Sequence, residues 1–138
     1  MPEPQVEWLD ISPKLREAVE TFVDKWLHIL PSWCHHLRIR EGQNDAEPEC
    51  LAEFSINNSY LMATLSVFPK IVAQADIEGV IVHEFCHAYT TPPAMVARQY
   101  VQDLKPADSE RETLWRRIGD HEEQATCELE CLVRRLAL

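Results

Sequence analysis

What this chain lacks narrows its function before any motif is considered. No apolar run approaches the roughly 20 residues that a membrane-spanning helix needs. Basic residues are scarce, 13 Lys and Arg against 23 Asp and Glu, for a net charge of -10. Affinity for a phosphate backbone comes from clustered cations. No nucleic acid is therefore expected as a partner, and no anionic membrane surface. The opening MPEPQVEWLD is acidic and proline-rich, where a secretory signal has a basic start and an apolar core. No signal is expected. The five cysteines (34, 50, 86, 127 and 131) are an odd set. Without an export signal they are expected to be reduced thiols, in a cytoplasmic protein. Repeats and low-complexity tracts are missing as well.

What is present has the balance of a globular protein. The 138 residues are 46% hydrophobic and 26% charged, enough for one sizeable core and one domain, residues 1–138. SPKLREAVETFVDKWLHIL predicts a helix with Ser12 as its cap and Pro13 in its first turn. Leu15, Val19, Phe22, Trp26 and Ile29 form its apolar stripe, and Pro31 ends it. HHLRIRE predicts a short strand, and EGQNDAEPE a polar loop. CLAEFSINNSYLMATLSVFP predicts two strands around an Asn57–Asn58 turn, the second running from Tyr60 to Phe68. Asp76 suits the N-cap of the next helix. That helix is apolar nearly all round, so it is expected to be buried and central, ending at Thr90–Pro93. Residues 91–108 are expected to form a loop with one helical turn. Ser109–Glu112 and Asp120–Glu123 both have capping-box spacing. They predict a C-terminal helix, or two helices with a bend at Gly119.

The central helix carries VIVHEFCHAYT. Residues four apart share a helix face about 6 Å apart along the axis, so His83 and His87 can offer both imidazoles to one ion. Two histidines at this spacing suit zinc. Glu84 lies roughly 100° round the helix from His83, where it can take a proton from a water on the metal. The alternative is a helix with two core histidines satisfied by backbone or carboxylate partners. Burying two His and a Glu is costly without a partner or a metal, which favours the metal.

A catalytic zinc wants three protein ligands and one open position. The C-terminal stripe Ala125, Leu129, Leu132 and Leu136, extended back one turn, lands on Glu122. Glu123 falls on a more polar face and has the capping-box place. Glu122 is therefore expected as the third ligand, with Glu123, His121 or a cysteine as alternatives. Cys86 is expected in the core, and the Cys127–Cys131 pair as ordinary helix side chains. Cys34, His35 and His36 cannot easily converge on one ion. Tyr89 and His121 are weak candidates for stabilising an oxyanion.

His83-Glu84-Phe85-Cys86-His87, followed 35 residues later by Glu122-Glu123-Gln124-Ala125, resembles the gluzincin zinc metallopeptidases. In that family a glutamate on a helix after HExxH completes the site, often as Glu-x-x-Ala. The short chain is similar to small phage and prophage metallopeptidases and, more distantly, to ImmA/IrrE-type proteins. The resemblance covers the layout of residues 10–137, but in motif only residues 80–89 and 120–136. Many gluzincins carry Asp or Asn four residues after the ligand Glu, and here Thr126 stands in that place.

The resemblance implies an α+β, minimal zincin-like domain: N-terminal helix, small sheet, buried HExxH helix and C-terminal ligand helix. It implies a zinc hydrolase acting on a protein or peptide, with zinc on His83, His87 and Glu122 and Glu84 as general base. The strand from Tyr60 to Phe68 is expected to line the cleft and pair with an extended substrate. The rival expectation is a zinc-stabilised binding or regulatory module without turnover. Retention of Glu84 opposes it, because a purely structural site needs no base there.

Overall fold

The computed structural model describes residues 3–42, 49–57 and 61–136. The polar loop expected between the second and third strands lies largely outside these residues, as do Asn58 and Tyr60 of the expected hairpin. The protein is α+β, with the order β1 (Gln5–Leu9), α1 (Pro13–Trp26), β2 (His36–Glu41), β3 (Ala52–Asn57), β4 (Met62–Val67), α2 (Ile77–Asp103) and α3 (Asp108–Leu136). The chain divides into two compact units, Met1–Ala88 and Tyr89–Leu138.

The first unit holds a four-stranded sheet in the order β1-β2-β4-β3. β1, β2 and β4 run parallel, and β3 pairs antiparallel with β4 as a hairpin. β1 was not anticipated: five residues in an acidic, proline-rich opening give little periodicity, and the strand is defined by pairing with β2. β4 is hydrogen-bonded on both sides, to β2 and β3. The expectation that the strand from Tyr60 to Phe68 pairs with a substrate is therefore corrected. Its backbone groups are already spent inside the sheet, and β3 is the edge strand beside it.

Alternation along the strands gives the sheet two unlike faces. Leu37, Ile39, Ala52, Phe54, Ala63, Leu65 and Val67 are buried on one face. Glu7, Arg38, Arg40, Glu53, Ser55, Thr64 and Ser66 share the other. The aromatic ring of Phe85, on α2, meets that of Phe54 edge-on at 6.4 Å. This puts the first half of α2 on the apolar face. α1 begins as expected: Pro13 is in its first turn and the Leu15 N–H donates to Ser12 Oγ at 3.4 Å. Its buried stripe is Leu15, Val19, Val23 and Trp26, so Val23 takes the core position expected of Phe22. A short 3-10 helix, Leu27–Ile29, follows before Pro31. Trp26 Nε1 and Lys25 Nζ both donate to Glu78 Oε2, at 2.9 and 2.7 Å, tying α1 to the first turn of α2. Beside the sheet, Gly42 leaves room for the Phe68 ring, which a Cβ there would overlap.

Asp76 caps α2, accepting from the Gly79 N–H at 3.0 Å. The helix does not stop at Pro93, and residues 91–103 are not a loop: α2 continues through Pro92 and Pro93 to Asp103. A proline's φ is already helical. What the pair removes is two N–H donors, those that would bond the carbonyls of Ala88 and Tyr89. The boundary between the two units falls at this same peptide. Burial of Ala94 and Val101 gives the second half of α2 an apolar side. The helix ends at Leu104–Lys105, where Lys105 has φ 50 and its N–H bonds the Gln102 carbonyl. A left-handed residue followed by proline is a common helix stop, and here Pro106 is that proline.

The second unit contains the rest of α2 and all of α3, which is one uninterrupted helix. The expected bend at Gly119 does not occur, and Asp120–Glu123 lies in the helix interior. It therefore cannot act as a capping box, because interior N–H groups already have partners. The expected start is also shifted, by two residues: with Ser109 as N-cap the helix would begin at 110, but α3 begins at Asp108, so Ser109 is within its first turn.

Candidate metal centre

Helical geometry sorts residues 81–88 into two arcs. Ala88, Ile81, Phe85, Val82 and Cys86 fall on one arc of about 160°, and all five are buried. His83, His87 and Glu84 fall on the remaining arc and are half-buried. α2 is thus buried on one side only, and the three polar residues of the motif share the side that is not. Packing of Phe85 and Cys86 into the core sets the rotation of the helix. That rotation in turn aims the histidines. Their ring centroids lie 5.2 Å apart with the planes 80° to one another.

In the second unit, α3 meets the later turns of α2 through a small polar network. Thr91 Oγ1 donates to Glu122 Oε2 at 2.9 Å, and Arg98 Nη2 to Glu122 Oε1 at 3.2 Å. Thr126, fully buried, donates its hydroxyl proton to the Glu122 carbonyl at 2.7 Å. Its Oγ1 also lies 2.7 Å from Thr90 Oγ1. A hydroxyl has one proton, so Thr90 is the donor in that second bond. No buried side-chain nitrogen or oxygen among the described residues is left without a partner.

This network changes the reading of Glu122. The stripe that pointed to it does not form the buried side of α3. Leu132 is 49% exposed and Leu136 75%, and Ala125 is exposed too. The inward positions are Glu122, Thr126, Leu129, Glu130 and Val133. Glu122 does face inward, its side chain only 11% exposed, but both carboxylate oxygens accept hydrogen bonds from Thr91 and Arg98. Each oxygen of that carboxylate thus already accepts one hydrogen bond. Glu123, the next residue, is exposed and has the Cys127 thiol 4.0 Å from its Oε1. In the first unit the candidate ligands are His83 and His87, with Glu84 beside them on the same arc.

Arg98 was not anticipated as part of any site. It lies in the stretch expected to be a loop, where no periodic signal could place it opposite Glu122. Thr126 stands in the place where many gluzincins carry Asp or Asn. Its full burial comes from α3 being rotated so that Thr126, rather than Ala125, faces inward.

The remaining candidates have ordinary environments. All five cysteines are free, with Cys34 and Cys86 buried and Cys127 and Cys131 exposed. Burial pushes the Cys34 thiol up to about 11, although backbone hydrogen bonds to Ala63 and His36 partly oppose this. Cys127 is also raised, by desolvation and then by the nearby charges of Glu123, Glu130 and Cys131. Tyr89 and His121 are exposed. No described helix is long and apolar enough to cross a membrane. The chain matches no family model, no curated protein and no solved structure.

Proposed function

We propose that this chain is a zinc-dependent peptidase whose ion is held by His83, His87 and Glu123, with Glu84 as general base. One observation carries the reading: His83 and His87 share one half-buried arc of α2 with their ring centroids 5.2 Å apart, and Glu84 stands on that same arc. Two imidazoles and one carboxylate are a donor set that zinc favours, and three protein ligands leave a fourth position open. Glu123 takes the place first expected of Glu122, whose oxygens accept from Thr91 and Arg98.

When bound, zinc lowers the pKa of a coordinated water and polarises a carbonyl. The chain's own residues supply the rest. Glu84 shares the half-buried arc of α2 with both histidines, about 60° from His87 and 100° from His83. From there it can accept the proton of the attacking water and pass it to the leaving nitrogen as the C–N bond breaks. Its position supports a role in proton transfer beside the ligands.

Two measurements test the proposal together. Elemental analysis of protein purified without added metal is expected to show about one zinc per chain. Glu84→Gln is expected to keep that zinc and abolish hydrolysis of an unfolded protein substrate. Protein that neither carries nor takes up zinc overturns the metal site. If wild type holds one zinc but cleaves no better than Glu84→Gln, the chain is instead a zinc-stabilised binding module.

A further inference from the structure

The face of the sheet opposite the HEFCH helix carries a polar cluster that the metal centre does not use. Strand alternation and register line up two rows there. Glu7, Arg38, Thr64 and Ser55 form one row, and Leu9, Arg40, Ser66 and Glu53 the other. A half-open cavity of about 370 Å³ is lined by Leu9, Arg38, Arg40, Glu53, Ser55, Thr64 and Ser66. Two arginines and three hydroxyls thus face one cavity in a chain whose net charge is -10.

Arg40 is the centre of this cluster. Ser66, buried although it lies on the polar face, accepts from Arg40 Nε at 3.1 Å. That bond fixes the plane of the guanidinium and leaves its two terminal nitrogens as a fork, the geometry that binds carboxylate or phosphate oxygens in pairs. Among the described residues no carboxylate forms an ion pair with Arg40. Arg38, two residues earlier on the same face, has its Nε 3.5 Å from Glu7 Oε2 at the outer side of the sheet. Its charge adds to the field at the cavity.

We propose that this open sheet face is an oxyanion-binding site in which Arg40, oriented by Ser66, and Arg38 take a small carboxylate or phosphate. The hydroxyls of Thr64 and Ser55 supply further donors. Glu53, at the far end of the row from Arg40, sets the ligand class. It disfavours a polyanion and favours a compact ligand with one anionic group and a hydroxyl or ammonium beyond it. The site is independent of the zinc reading.

The test is amide NMR of the intact protein titrated with acetate, inorganic phosphate or chloride at constant ionic strength. The expected result is saturable shifts for the backbone amides of 38–40 and 64–66 with acetate, phosphate or both, and none with chloride. The response to acetate against that to phosphate tells a carboxylate site from a phosphate site. Arg40→Gln is expected to weaken the binding at least tenfold, on the scale of a lost charge-assisted fork. Arg40→Lys, which keeps the charge without the fork, should recover only part of it. Equal shifts with chloride, non-saturating shifts, or unchanged affinity in Arg40→Gln overturn the proposal. Arg40 is on the uncovered face, so the spectrum of Arg40→Gln itself reports whether the fold is intact.

Discussion

Replacing Glu122 and Glu123 by alanine, one at a time, tests which of the two carboxylates is the third metal ligand. Glu122 accepts two hydrogen bonds, one from Thr91 and one from the Arg98 guanidinium, with its side chain 11% exposed. A hydrogen bond to a charged group contributes about 1.5–3 kcal/mol. Arg98 is 34% exposed, so water recovers part of its loss, and its share is closer to the ~1 kcal/mol of a surface pair. Together, Glu122→Ala is expected to cost about 2.5–4 kcal/mol. At a denaturant slope near 2 kcal/mol per molar, that lowers the urea midpoint by about 1.2–2 M. The comparison is made in chelator, so that metal binding does not contribute. Glu123 is exposed and in a helix interior, so Glu123→Ala is expected to change the stability of the metal-free protein by no more than about 0.5 kcal/mol. Zinc affinity, from competition with a chromogenic chelator, is expected to respond the other way. It should fall on the order of 100-fold or more in Glu123→Ala, since a ligand matters at least as much as the groups that orient it. The reasoning is refuted if Glu122→Ala sheds zinc while its metal-free urea midpoint matches wild type.

Three further outcomes follow from the same geometry. Thr126→Val keeps the shape but removes the hydroxyl shared by Thr90 and the Glu122 carbonyl, so urea unfolding should show a loss of about 1–2 kcal/mol; a fully stable Thr126→Val means the buried hydroxyl pair contributes nothing. Because the folded Cys34 thiol titrates at about 11 rather than near 9, its stabilising contribution is whole below pH 9 and is lost as pH rises through 11. Unfolding measured from pH 8 to 11.5 should therefore show a decline that Cys34→Ala lacks. Alkylation of the native protein at pH 8, followed by mass spectrometry, should modify Cys127 and Cys131 while sparing Cys34 and Cys86; modification of Cys34 at the same rate as Cys131 contradicts its burial.

Local sequence determined much of this protein. Ser12–Pro13 and Asp76 start their helices by side-chain capping, an interaction spanning three residues. The β3–β4 hairpin and the burial of Phe85 follow from alternation and helical spacing in the same way. The juxtaposition of His83, Glu84 and His87 needs only the pitch of a helix, so it was legible at once. What lay beyond reach depended on partners distant in sequence. β1 is a strand because β2 offers it a parallel edge. β4 lost its expected role because β2 and β3 take both of its edges. α2 crosses Pro92 and Pro93 because two missing hydrogen bonds weigh less than continuing a helix whose second half buries Ala94 and Val101. On α3, leucine spacing placed Glu122 and Leu129 inward, as they are, but also Leu132 and Leu136, which are exposed, since the inward positions are set by Thr90, Thr91 and Arg98 on another helix. The choice between Glu122 and Glu123 is a rotation of 100° about one axis. Periodicity defines which residues share a face, but only the groups packed against that face decide which way it turns.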